Sequence, residues 1–227
     1  MLKDLYENFY KALAFNRWQW YLEGLGKTLL ISLGAVAIGV FLGIIAALVQ
    51  YLHKKYGKLK VFSKLFDLYI TVFRGTPIYV QLLIMYIVIV FLKAEWVAII
   101  TFGINSGAYV AEIIRGGLES VDDGQLEAGA SLGLNKTQIM MTIVLPQAVR
   151  RALPPLGNEF IALIKETSIV GTFGVVDLTK IADRIINLTL DAFAPYIIIA
   201  LMYLAVVVLL TQLLKLLERR LSKSDRN

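Results

Sequence analysis

The chain has 227 residues, 58% of them hydrophobic, and a mean hydropathy of +0.69, which is too apolar for a soluble globular domain and fits an integral membrane protein. It holds no cysteine and a single histidine, His53, which excludes disulfides, zinc–thiolate centres, thiol nucleophiles and histidine metal clusters. The formal charge of +6 comes from Lys and Arg clustered beside apolar runs, the pattern of membrane anchoring rather than of nucleic-acid binding.

Residues 1–23 mix Phe9, Phe15, Trp18, Trp20 and Tyr21 with Lys3, Asp4, Glu7, Lys11 and Arg17. With no apolar core, this is an interfacial segment at the lipid headgroups and not a cleaved signal peptide. Thr28 to Leu52 is uncharged over 25 residues, more than the ~20 that cross a hydrocarbon core, and predicts the first span. Within it Ala35, Gly39, Gly43 and Ala47 recur every four residues, a small-residue ridge on which another helix can pack closely. Lys54, Lys55, Lys58, Lys60 and Lys64 follow, and this density of positive charge assigns the loop to the cytoplasm. Val61 to Leu92 predicts a second segment, kinked at Phe73–Pro77 (FRGTP), where Pro77 lacks a backbone donor. Arg74 shares a helical face with Asp67, seven residues earlier.

Trp96 to Gly117 predicts the third span, increasingly polar through Asn105, Ser106, Tyr109, Glu112 and Arg115; the last two can pair locally at three residues' distance. A polar, glycine-marked interruption comes next. Gln125 to Leu132 predicts a short helix with Asp122 and Asp123 at its start and Gly133 as a left-handed stop. Asn135 and Gln138 predict the cap of a second helix that Pro146 interrupts. Ala128, Gly129, Ala130 and Gly133 leave little side-chain bulk, which suits a docking element and equally a plain hairpin between core helices.

Pro154 and Pro155 open a predicted fourth span, Leu156 to Gly174. Asn158, Lys165 and Thr172 are spaced by seven, with Glu159 and Glu166 on the neighbouring stripe, so one helix face carries three ionisable groups. Each costs roughly 2.5–3.5 kcal/mol at mid-bilayer, so partners come from other helices, water or a ligand. Val175 to Asp191 predicts an amphipathic outer helix, a gate or a solvated connector, and Ala192 to Leu214 a fifth span. Lys215, Arg219, Arg220, Lys223 and Arg226 mark the end of the chain. The inner segments so defined hold fourteen Lys and Arg and the outer ones seven, which predicts an N-terminus outside and a C-terminus inside.

Gly26-Lys27-Thr28 is not a phosphate loop, because Tyr21 stands where that motif needs glycine and no strand precedes it. No nucleophile elbow or paired-histidine motif occurs, so ATP use would require another polypeptide.

Glu127, Ala128, Gly133, Ile143, Leu145 and Pro146 match the EAA signature of the membrane subunits of bacterial ABC importers, with Gly129 in place of its third alanine. GLGKTLLIS (24–32), FRGTP (73–77), NSGAYVAEIIRGG (105–117) and NEFIALIKETS (158–168) resemble segments of the polar amino acid branch, so the likeness covers nearly the whole chain. The resemblance implies an all-α integral membrane fold with five transmembrane helices, an N-terminal interfacial helix (1–23), a permease domain (24–217) and a cytoplasmic tail (218–227) in the bacterial inner membrane. It also implies a cytoplasmic coupling helix near 125–134 that seats in an ATPase groove, with Gln125, Glu127, Ala128, Gly129, Ser131, Gly133 and Leu134 as coupling residues. The implied partners are a second permease, identical or related, two ATPase subunits that bind ATP and Mg, an extracytoplasmic amino acid binding protein and the lipid bilayer. No cofactor is expected in this chain, and no nucleic acid.

A zwitterionic substrate in a low-dielectric cavity needs both charges compensated. Asn105, Asn158, Glu159, Lys165, Glu166 and Ser168 are therefore the substrate-pathway candidates, followed by Arg74 and Glu112; interhelical ion pairing is the structural alternative for the charged members. A passive channel or a membrane-embedded receptor is the rival class, distinguished by flux without ATP, and a membrane enzyme ranks behind both for want of a nucleophile and base.

Overall fold

The computed structural model describes residues 2–224, and the last three residues of the predicted tail lie outside that range. The chain forms ten α-helices in this range: α1 (Leu2–Leu13), α2 (Arg17–Tyr56), α3 (Lys60–Gly75), α4 (Ile78–Val88), α5 (Ala94–Glu119), α6 (Asp123–Ser131), α7 (Lys136–Ile139), α8 (Leu145–Glu166), α9 (Leu178–Thr189) and α10 (Phe193–Ser224). The expected interfacial segment is divided. Phe15 and Asn16 take left-handed φ values of 55° and 60°, which ends α1, and residues from Arg17 onward already belong to the long first helix.

Helices α2, α5 and α10 are each long and apolar enough to cross a membrane, and α3 with α4 passes the same test as a bent pair. Its bend of 109° is far sharper than a proline kink and lies at the predicted FRGTP break. Thr76 is extended, and Pro77 restarts the chain as the cap of α4. A buried neighbour satisfies the carbonyls freed by the break: Gln81 donates to Phe73 O (2.9 Å), Thr76 O (3.1 Å) and Thr76 Oγ1 (2.8 Å). Backbone groups at membrane depth tolerate irregularity only where protein supplies such partners.

Packing centres on α2 against α5. Lipid tails are as apolar as the helices, so association depends on close approach of small residues rather than on hydrophobic burial. The predicted ridge Ala35, Gly39, Gly43 and Ala47 is buried in full, and α5 answers with Gly103, Gly107, Ala108 and Ala111. A Cβ on Gly43 would lie 2.9 Å from the Ala111 backbone nitrogen, and one on Gly103 would lie 3.2 Å from Ala35 O, so glycine is required at both. By contrast α10 exposes nearly all of its apolar window, as a lipid-facing helix does.

Polar ties close each end of the bundle. At one end Lys27 pairs with Glu95 at 2.8 Å, joining the starts of α2 and α5, while α1 and α9 cover Tyr21. At the other, Lys54 pairs with Glu119 at 3.0 Å and Lys55 with Asp123 at 3.6 Å, joining the end of α2 to the α5–α6 corner.

The prolines of the α7–α8 region behave differently from expectation. Pro146 does not end the second helix, because Met140–Val144 widens into one π-helical turn that runs directly into α8. A widened turn relieves the clash and missing donor that proline imposes on an α-ladder. Pro154 and Pro155 likewise lie inside α8 rather than at the start of a helix, and Thr167–Phe173 continues α8 as a 3₁₀ segment.

Candidate functional site

Helix α8 is two-faced. Ile161, Leu163 and Ile164 are buried against the bundle, whereas Asn158, Lys165 and Glu166 are exposed. Glu159 lies at the flank of that open face, half-buried, and accepts a hydrogen bond from the buried Ser106 hydroxyl of α5 at 2.8 Å. Glu166 is repelled by Glu159 and attracted by Lys165, so these three groups form one electrostatic cluster. Ser168 is half-buried in the 3₁₀ segment that follows. The arrangement offers acceptors, a cation and an amide along one stripe, the set that a zwitterion needs.

Asn105 is placed elsewhere. Its amide donates to Phe73 O (2.9 Å) and Gln81 Oε1 (3.0 Å), so it joins Gln81 in holding the α3–α4 break. Arg74 pairs with Glu112 across α3 and α5 and stacks 5.1 Å over the Tyr109 ring. The anticipated local Glu112–Arg115 pair is present but longer, 3.8 Å, and Asp67 turns from Arg74 to Gln50, which donates to it at 2.6 Å. Distance along a helix could not foresee these cross-helix choices.

The predicted two-helix element at the lysine-rich end exists. Asp122 caps α6 through Gly124 N at 2.8 Å, Gly133 takes φ 81°, and Asn135 and Gln138 form a reciprocal capping box at 3.0 and 2.8 Å. Gln125, Glu127, Ala128, Ser131 and Gly133 are exposed, and Leu134 is half-buried. Gly129 departs from the expected open surface. It is buried, and a Cβ there would meet Ile143 Cδ1 at 2.8 Å and Ile139 Cγ1 at 3.2 Å, so its small size serves packing of α6 on α7. Gln147 fixes the element to α8 by donating to Gln125 Oε1 at 2.5 Å, and Arg151 donates to Ser120 O.

Three residues went unremarked in the sequence. Gln81, an amide within the apolar run of α4, stood four positions after the helix-breaking proline, which was the available signal. Gln147 carried none. Leu132 is 82% exposed at the tip between α6 and α7, a bare apolar side chain.

Asp177, in the connector ahead of α9, is fully buried and caps that helix through Lys180 N at 2.8 Å. Burial pushes its carboxyl up to about 6 against the opposing pull of backbone hydrogen bonds from Lys180 and Thr179. Leu178 N donates to the buried Thr28 hydroxyl at 3.2 Å, which pins this connector to α2.

Residues 39–223 match the family described as binding-protein-dependent transport system inner membrane component. A Rickettsia bellii permease, GlnP, whose name assigns it to glutamine transport, is 39% identical over 88% of this chain and 91% of its own. The arginine transport system permease ArtQ of Bacillus subtilis is 37% identical over 90% of this chain and 93% of its own. The crystal structure of an amino acid ABC transporter with histidines superposes with a TM-score of 0.81 at 41% identity, covering 89% of this chain and 94% of that one. The chain therefore belongs to the binding-protein-dependent transport system inner membrane components, as an inner-membrane permease of the amino acid ABC importer group.

Proposed function

We propose that the chain forms half of a translocation pathway for a polar amino acid and moves it by alternating access, driven by a separate ATPase. The observation that carries this reading is the open polar stripe of α8, Asn158, Lys165 and Glu166 with Glu159 at its flank, which a single copy of the chain leaves exposed. A second permease, identical or related, faces it and encloses a cavity near mid-membrane. Within that cavity Glu159 and Glu166 compensate the substrate's positive charge, while Lys165, Asn158 and Ser168 serve its carboxylate. The acidic majority favours a cationic side chain, in line with the arginine and histidine names among the relatives, and GlnP leaves glutamine in the same class.

Helix α8 with its 3₁₀ extension is the fourth of five spans, beside α2, the bent α3–α4 pair, α5 and α10. The N-terminus lies outside, with α1 and α9 at the outer surface, and the C-terminus lies in the cytoplasm with α6. An extracytoplasmic binding protein delivers substrate at the outer end. At the inner end, α6 is the coupling helix: Gln125, Glu127, Ala128, Ser131 and Gly133 meet a groove of an ATPase subunit, with Leu132 as apolar anchor. Two such ATPases bind ATP and Mg, and closing them swings the paired α6 helices as levers on the spans. This chain conducts and does not hydrolyse.

Glu127→Trp and Gly133→Val, tested in the reconstituted complex, are expected to sever ATP hydrolysis from uptake while leaving the permease in the membrane. Normal coupling in both variants would refute the lever.

A further inference from the structure

A groove of about 670 Å³ opens at the lysine-rich end of the bundle, between the last turn of α2, the turn that follows it and the α7 region. Its lining joins apolar Leu52, Met140 and Met141 to cationic Lys55, Lys58 and Lys136, and contains no carboxylate. The Lys136 ammonium stands 5.0 Å over the Tyr56 ring, which also lines the groove and holds that charge in it. Lys58 makes no ion pair among the described residues, and Lys55 is shared with the exposed Asp123 at 3.6 Å.

An occupant must therefore be anionic at one end and apolar at the other. Leu52 closes the uncharged stretch that begins at Thr28, so the groove lies where hydrocarbon gives way to headgroups. From Leu52, the exposed side chains of Leu48, Ile45 and Phe41 continue along α2 at intervals of four, three and four residues, one apolar stripe leading from the groove into the bilayer. A soluble acidic peptide would satisfy the lysines and leave that stripe unused. An acyl chain uses it.

We propose that this groove is a binding site for an anionic phospholipid, with its phosphate between Lys58 and Lys136 and its acyl chain along Leu52, Leu48 and Ile45. Basic pockets at the cytoplasmic ends of membrane helices select such headgroups over zwitterionic ones, because the lysines are partly desolvated and the lipid anion is already held at the right depth. Only the assignment to the inner leaflet rests on the orientation given under Proposed function. Lipid retention in a two-leaflet disc is independent of it, so failure of the site and failure of the orientation are separable.

The test uses the assembled transporter in nanodiscs of phosphatidylcholine with phosphatidylglycerol, followed by native mass spectrometry of phosphatidylglycerol retained per permease. Each lysine near the surface contributes about fivefold, so Lys58→Gln with Lys136→Gln is expected to weaken retention about 25-fold. Lys58→Arg with Lys136→Arg is expected to retain it, and Lys64→Gln, near the start of α3 and outside the groove, to leave it unchanged. Undiminished retention in the glutamine pair overturns the proposal. So does an equal loss in Lys64→Gln, which would mark a diffuse surface potential, or release of the ATPase with lipid retention intact, which would assign the groove to a protein partner.

Discussion

The hydroxyl of Ser106, buried on α5, donates to the carboxyl of Glu159 on α8 across 2.8 Å, and this bond holds an acid at the flank of the polar stripe. A hydrogen bond to a charged group contributes about 1.5–3 kcal/mol, or roughly ten- to a hundredfold. Glu159→Gln is expected to raise the KM for a cationic amino acid by about tenfold and to affect a neutral one less. Ser106→Ala frees the carboxyl without removing it, so its effect on KM is expected to be smaller. Uptake of labelled arginine and glutamine into proteoliposomes measures both. Equal losses for the two substrates in Glu159→Gln would return Glu159 to a structural role.

The α2–α5 contact yields a stability prediction. Gly43→Val places a Cβ 2.9 Å from the Ala111 backbone nitrogen, which cannot move without shifting α5, so a cost of about 1–3 kcal/mol and a lower Tm in detergent are expected. Gly26→Ala, with nothing within 4 Å, relieves helical glycine and is expected to stabilise by roughly 0.5–1 kcal/mol. Thermal unfolding of the purified protein compares them.

Asp177 makes stability pH-dependent. Its folded carboxyl is raised from the ordinary 3.8 to about 6 by burial, so the folded state binds the proton more tightly than the unfolded one. The stabilising contribution is complete below the unfolded value and is lost as pH rises through about 6. Asp177→Asn keeps an N-cap acceptor and removes the titration, and it is expected to flatten the Tm profile between about pH 4 and 7. A variant profile parallel to the parent would show that another group titrates.

Orientation is directly measurable because the chain has no cysteine of its own. Ser131→Cys on α6 is expected to resist a membrane-impermeant maleimide in intact cells and to react after lysis, whereas Asn187→Cys on α9 is expected to react in both. The opposite pattern would invert the topology.

Gly129 separates packing from docking. Gly129→Val drives side-chain bulk into Ile139 and Ile143, so it is expected to displace α6 and reduce coupling, although the position is buried within the chain. Ala128→Val, on the exposed face, is expected to weaken ATPase association in pull-down assays. Intact coupling in Gly129→Val would show that α6 tolerates loosening from α7.

Much was legible in the sequence because membrane insertion is a local constraint. Runs of uncharged residues, Lys54 to Lys64, the small ridge from Ala35 to Ala47 and the Asn135–Gln138 capping box each act within one segment, so spacing alone located them. What tertiary structure alone decided were the pairings between segments. Arg74 joins Glu112 and not Asp67, Asn105 braces a 109° bend, and Gly129 faces Ile143 and not the outside. In each case the partner lies on another helix, which spacing within one segment cannot rank, and only the crossing of helices determined which side chain came within reach.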